Sequence, residues 1–301
     1  MRTWQLFALA ALIWGTTWHA IVYQLAETTP EFGVALRFAL AGAICLAWAA
    51  WRGERWRVSA REHGLLAFQG VFMYSVSYLC VYHAETHVPS GLVAVGYSVA
   101  PLINGVISRW IWGTALTRRF VAGGLLGAVG VAMIFWKEFG AIALGGGAAL
   151  GAAFTVGAVL LASVGSLASS RNQAVGLPFW PALGWGMLYG AAASFMILLA
   201  MGQGLRLPTS VAWWLSLVYL TVAGSVVAFA CYLALQHRLG PGPASMLGVA
   251  TPVIALTVST AFEGYRPDAL AGMGLVLAVL GNVLALRAGR HVTAAGTRRG
   301  P

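Results

Sequence analysis

Long apolar stretches alternate with short polar breaks along the whole chain. The apolar runs fall approximately over residues 4–24, 31–51, 64–84, 89–112, 119–136, 147–168, 178–201, 212–235, 243–262 and 269–287. Each is close to the ~20 residues that carry a helix across roughly 30 Å of hydrocarbon. The pattern predicts an all-α integral membrane protein of ten transmembrane helices. The first run follows Met1 and Arg2 almost at once, as a signal sequence would. No small-residue cleavage site follows a short core, so it is expected to remain as a helix.

Composition agrees: 59% of residues are hydrophobic and 9% charged, well outside the usual soluble range. A net charge of +10 in a soluble protein would raise the question of nucleic acid. Here the basic residues follow the membrane instead. With a cytoplasmic N-terminus, Arg2, the arginines from Arg52 to Arg61, Arg109, Arg118, Arg119, Arg171, Arg238, Arg287, Arg290, Arg298 and Arg299 fall inside, leaving Lys137, Arg206 and Arg266 outside. The positive-inside bias therefore favours both termini in the cytoplasm of a bacterial inner membrane, and no nucleic-acid partner is expected. Cys45, Cys80 and Cys231 have no paired spacing, which argues against disulfides or a metal site.

An internal repeat organises the chain. Pro101, Gly113, Gly123 and Gly130 are separated by 12, 10 and 7 residues, and Pro252, Gly264, Gly274 and Gly281 repeat those intervals. Tyr78, Leu79, His83 and Pro89 likewise share their spacing with Tyr232, Leu233, His237 and Pro243. Five spans per half is an odd number, so the second half enters the membrane from the opposite side. The expected layout is a first five-helix repeat over 1–140, an inverted second repeat over 145–290 and a cytoplasmic tail over 291–301. Two inverted halves that rock about a central site are a transporter architecture.

Helical spacing then locates candidate chemistry. Ser90, Ala94, Tyr97, Pro101, Asn104 and Ser108 share an arc of span 4, and Ser245, Gly248, Thr251, Pro252, Ala255 and Ser259 share one on span 9. Small residues on such faces also serve close packing in lipid. Pro101 and Pro252 break the carbonyl ladder in mid-span at matching positions, which marks a helix break or hinge. Span 3 carries Tyr74, Tyr78 and Tyr82 in a stripe that Glu85 continues to the outer surface; span 8 answers with Thr221, Ser225, Tyr232 and Gln236. Trp14 and Trp18 give span 1 an aromatic face. These faces predict one chamber involving Trp14, Trp18, Tyr78, Tyr82, Tyr97, Asn104, Ser225, Tyr232 and Thr251. Arg37 is the clear intramembrane charge, with three readings: it binds a substrate carboxylate, snorkels outward or pairs with another helix. His19 and His83 are the candidates for a proton role. No Asp or Glu lies in mid-span, so little dependence on a proton gradient and little affinity for lipophilic cations are expected.

Ile13-Trp14-Gly15, Arg37-Phe38 and the two Pro-to-Gly blocks resemble the drug/metabolite transporter superfamily, EamA-type, and within it the amino-acid exporters called YddG. The resemblance covers residues 4 to 287. It implies a cavity formed by spans 1 to 4 and 6 to 9, peripheral spans 5 and 10, and export of aromatic and other neutral amino acids without a cofactor. Other metabolites or drugs of the same superfamily are the alternative substrates, and both a monomer and a homodimer fit. An intramembrane enzyme is the rival class, against which stands the lack of a Gly-x-Ser-x-Gly elbow, a His-Glu-x-x-His pair or paired membrane aspartates.

Overall fold

The computed structural model describes residues 1–113, 116–136, 147–239, 244 and 247–296. Lys137, Pro243, Ser245, Arg298 and Arg299, named above, lie outside these. The described residues are helical, with no strand among them. Seven helices are long and apolar enough to cross a membrane: α1 (Thr3–Leu25), α2 (Pro30–Trp51), α3 (Ala60–Glu85), α4 (Ser90–Ile111), α6 (Ala148–Ala174), α7 (Phe179–Ala200) and α8 (Val211–Leu239). Arg118–Ile134 forms α5, Leu247–Phe262 α9 and Ala269–Gly296 α10. Shorter apolar segments lie within the last two, over Ala250–Phe262 and Ala269–Gly281.

Local sequence sets the helix ends. Thr29 caps α2 by accepting from the Phe32 amide at 3.4 Å, with Pro30 at the first helical position. There the missing N–H costs nothing and the fixed φ suits a helix. Ser59 and Glu62 form a reciprocal capping box at α3, which satisfies two amide donors that the helix itself cannot. Gly113 and Gly264 take left-handed φ values of 67° and 70°, a region open to glycine because it lacks a Cβ. The 12-residue interval from each proline therefore ends at a glycine in the left-handed conformation.

The sequence boundaries fall short at two helix ends. α6 runs on through Ser169, Ser170, Arg171, Asn172 and Gln173, and α8 runs on to Leu239. Apolarity stops before these turns, but their polar groups bond to one another, so the helices continue. A second departure is in helix type. α3 contains a π segment over Val71–Val76 and α8 one over Leu220–Val227. Neither holds a proline, and each inserts extra residues into a turn, so the side chains beyond it rotate away from simple α-helical spacing.

Close backbone contacts hold the helices together. α2 packs on α7, α5 on α10 and α4 on α9, while α1 meets α8 and α9 and α6 meets α3 and α4. At the α5–α10 contact, an ideal Cβ on Gly130 would stand 2.5 Å from the Gly274 carbonyl oxygen, and one on Gly281 2.5 Å from that of Gly123. Only glycine permits that approach, which is how helices gain packing energy where lipid gives no hydrophobic drive. Between α1, α2, α3 and α8 lies an aromatic core. Phe38 and Tyr74 are fully buried, with Phe229 against Tyr74 at a ring separation of 5.1 Å.

Candidate functional site

A cavity of about 170 Å³ lies among α1, α2, α3, α4, α6, α8 and α9. Trp14, Trp18, Arg37, Tyr78, Tyr97, Pro101, Asn104, Tyr232, Thr251 and Pro252 line it, joined by Thr17, Met73, Ser163, Ser166, Phe229 and Gly248. Aromatic pairs shape the walls: Trp14 against Tyr232 at 5.3 Å and Phe229 at 5.1 Å, and Trp18 against Tyr97 at 5.3 Å. The Trp14 indole is held by the Gly224 carbonyl at 3.2 Å, and the Tyr232 hydroxyl lies 3.1 Å from Ser166 Oγ. Thr251 spends its hydroxyl on the Leu247 carbonyl of its own helix at 2.7 Å, so it lines the cavity mainly with its methyl.

Tyr82 and Ser225 do not line this cavity. Tyr82 is fully buried and donates to Gln24 Oε1 at 2.7 Å. Ser225 is fully buried behind the wall, accepting from Arg37 Nε at 2.8 Å and donating to the Leu220 carbonyl at 3.0 Å. That carbonyl is five residues back, the reach of a π turn. The π segment over Leu220–Val227 accounts for Ser225, whereas Tyr82, one uninterrupted helical turn beyond Tyr78, is drawn to Gln24 of α1. The side chain of Ser108, placed on the span 4 arc above, lies outside the described residues.

The two prolines behave differently. A 3₁₀ turn over Tyr97–Val99 precedes Pro101, and the Ala100 amide takes the Tyr97 carbonyl that the proline ring cannot satisfy. Through Pro252 the α-helix runs on. Tyr97 and Gly248 nevertheless face each other, an ideal Cβ on Gly248 being 3.5 Å from the Tyr97 carbonyl oxygen.

Arg37 is 1% exposed, which removes outward snorkelling from its readings. Its guanidinium carbon stands 4.9 Å from the Tyr78 ring and 5.1 Å from that of Phe38, contacts worth about 0.5–2 kcal/mol each. Nη1 has no hydrogen-bond partner among the described residues. Trp18 Nε1, Asn104 Oδ1 and Ser163 Oγ are buried and unpartnered in the same way. Leaving such groups unmet costs about 1–3 kcal/mol apiece, so the residues lining the cavity carry two donors, an amide acceptor and a hydroxyl without protein partners. No Asp or Glu is among the lining residues, which leaves the guanidinium charge uncompensated there.

His19 and His83 sit apart from the cavity lining, towards one end of the helices. His19 Nδ1 is 2.8 Å from Glu263 Oε1, and His83 Nε2 is 2.8 Å from Glu31 Oε1. Glu263 also accepts from the Ser90 amide at 3.0 Å, from Ser259 Oγ at 3.0 Å and from Ser90 Oγ. Burial disfavours its charged form, but these donors outweigh burial and hold its carboxyl below the usual range. Glu27 caps the start of α8, taking the Thr209 and Ser210 amides at 2.7 and 3.2 Å. Sequence reasoning missed Glu31 and Glu263 because both flank helix ends, where a carboxylate is ordinary. Glu85, expected at the outer surface, has both carboxylate oxygens enclosed and unpartnered.

The opposite end carries neutral amides. Gln173 Nε2 donates to Gln236 Oε1 at 3.2 Å, Gln236 Nε2 to Ser170 Oγ at 2.8 Å, and Asn172 Nδ2 to Gln69 Oε1 at 2.8 Å. A second cavity of about 470 Å³ lies here, lined by Gln69, Asn172, Gln173, His237 and Arg238 among others. Among the described residues no cluster of His, Cys, Asp and Glu could hold a metal ion.

Helices of membrane-crossing length around a partly polar internal cavity define a multi-pass membrane transporter. The EamA-like transporter family model matches residues 2–136 and 149–287, and the chain belongs to that family. It is 28% identical to "Uncharacterized inner membrane transporter YedA" of Escherichia coli strain K12, over 93% of this chain and 88% of that protein. It is 26% identical to "Protein PagO" of Salmonella typhimurium, over 93% and 91%. A solved crystal structure with 21% identity superposes with a TM-score of 0.70, covering 96% of this chain and 97% of the other; that likeness concerns the fold.

Proposed function

We propose that this transporter exports small zwitterionic metabolites, neutral and aromatic amino acids above all, by alternating access about the central cavity. The observation that carries the reading is the set of unpartnered buried atoms. Arg37 Nη1 and Trp18 Nε1 would donate to a carboxylate, and Asn104 Oδ1 and Ser163 Oγ would accept from an ammonium. Trp14, Tyr78, Tyr97 and Tyr232 supply walls for an aromatic or aliphatic side chain. Charge-assisted bonds to a buried guanidinium are the strongest available to such a ligand.

The reading includes ten spans in two inverted halves, 1–140 and 145–290, with both termini cytoplasmic. It is supported by the family match over two stretches and by the Gly130–Gly274 and Gly123–Gly281 contacts, which exchange when each residue is replaced by its repeat mate. A π segment in the third helix of each half adds to it.

The uncompensated charge of Arg37 also favours a second reading, a monocarboxylate without the ammonium. Counterflow in proteoliposomes with phenylalanine, phenylpyruvate and phenethylamine separates them. The proposal expects saturable phenylalanine exchange exceeding both analogues; preference for phenylpyruvate would establish the anion reading, and preference for the amine would overturn both.

A further inference from the structure

We propose that Glu85, beside the His19–Glu263 pair, is a proton-binding site through which export is driven by proton antiport; the coupling rests on the exporter reading above, the site itself does not. Both Glu85 oxygens expose less than 1 Å² each and meet no donor among the described residues. An enclosed, unpaired carboxylate is one of the costliest groups to bury, and something must neutralise it. Ser90, five residues beyond Glu85, bonds Glu263 through both its amide and its hydroxyl, which brings the Glu263 carboxylate to the helix end that carries Glu85. His19 on α1 is engaged by Glu263, and His83 by Glu31 on α2. Across α3, α6 turns Phe154 towards His83 and His87 and brings no charge to this end. Glu85 therefore has a second carboxylate at the same end of the helices and, among the described residues, no cation paired with it.

A metal cation fits less well than a proton. The lone pairs that Glu263 would offer a metal are already taken by His19, Ser90 and Ser259, and a hard cation requires about six oxygen ligands. A proton requires one. It adds to a Glu85 carboxylate oxygen to give the neutral acid, which also removes the repulsion with Glu263. Separating the α3 and α9 ends would admit water, allow that proton to exchange with the outer solution and tie its movement to the direction in which the cavity opens.

Two measurements on the full-length protein test this. In purified protein stepped between acidic and alkaline pH, infrared difference spectra should show the carbonyl band of a buried carboxylic acid, and that band should vanish in Glu85→Gln. Its survival in Glu85→Gln overturns the site whether or not amino acids are transported. Should that variant fail to fold, Glu263→Gln is measured, which removes the neighbouring charge and should shift the band's pH midpoint downward; an unmoved midpoint overturns the site. In proteoliposomes, one proton exchanged per solute predicts about a tenfold change in the steady-state phenylalanine ratio per pH unit, lost in Glu85→Gln while counterflow persists. Saturable flux indifferent to pH gradients, or driven by a sodium gradient, overturns the coupling. An intact, Glu85-dependent band without amino-acid flux would sustain the proton site and remove the amino-acid reading.

Discussion

At one end of the central cavity His19 grips Glu263 and His83 grips Glu31, while Glu85 stays enclosed and unpaired. At the other, Gln173, Gln236 and Ser170 hold one another, and Asn172 holds Gln69, with no charge in the network. The same geometric position underlies part of both. By the spacing of Tyr78 and Tyr232, Tyr82 corresponds to Gln236; Tyr82 reaches across to Gln24 on α1, Gln236 to Gln173 on α6. Glu85 corresponds by the same offset to Leu239. In the inverted arrangement proposed above, such mates would stand on opposite sides of the membrane, and their divergence would then report a difference between the two sides. The first end gathers carboxylates and histidines, whereas the hydrogen-bonded network at the second is made of neutral amides and a hydroxyl.

The largest expected effect lies between these ends. Arg37→Gln removes the positive charge from the cavity and leaves Ser225 unmet; loss of a buried charge-assisted contact of about 2 kcal/mol or more should weaken amino-acid binding at least about 30-fold in proteoliposome counterflow. Arg37→Lys keeps charge without the planar fork and should fall between. Equal binding by all three would remove the guanidinium from the account.

Next in size is packing. A leucine at Gly130 meets the Gly274 carbonyl and should destabilise the α5–α10 contact by about 1–3 kcal/mol, read as a lower thermal midpoint in detergent. Gly281→Leu should do the same, and Gly272→Ala, where nothing stands within 4 Å of an added Cβ, should not. A large effect at Gly272 would break the symmetric pairing.

Smaller is the pH effect that separates the two ends. The folded protein holds the Glu263 carboxyl below its ordinary value, so its contribution to stability is present above the unfolded carboxylate pKa of about 4.3 and is lost as pH falls through the folded value. Wild type should therefore lose thermal stability on the acid side of about pH 4.3, and Glu263→Gln should show a shallower acid slope. Gln236→Leu, at the neutral end, should leave that slope unchanged while lowering stability by about 1 kcal/mol.

Helix positions were legible because an apolar run of span length suits a membrane-crossing helix and little else. The Pro-to-Gly intervals ended at Gly113 and Gly264 because left-handed turns demand glycine. Trp14, Tyr78, Tyr97 and Tyr232, singled out by helical spacing, line one cavity because each stands on a helix face turned to the same interior space. Ser225 was not legible because nothing in Leu220–Val227 signals a π turn, and Tyr82 because its partner Gln24 is brought to it only by tertiary packing. The burial of the helix-end carboxylates was hidden for a different reason. Burial of Glu31, Glu85 and Glu263 depends on which helix ends meet, a property of tertiary packing that no single helix encodes.

Direct binding to purified protein tests the central claim, that the cavity receives a carboxylate on Arg37. Titration calorimetry would compare L-phenylalanine with L-phenylalaninamide, which keeps the ammonium and ring and lacks the negative charge. The account predicts saturable phenylalanine binding, roughly 30-fold or more weaker binding of the amide, and loss of that discrimination in Arg37→Gln. Equal affinity for the two ligands, or discrimination that persists in Arg37→Gln, would contradict it.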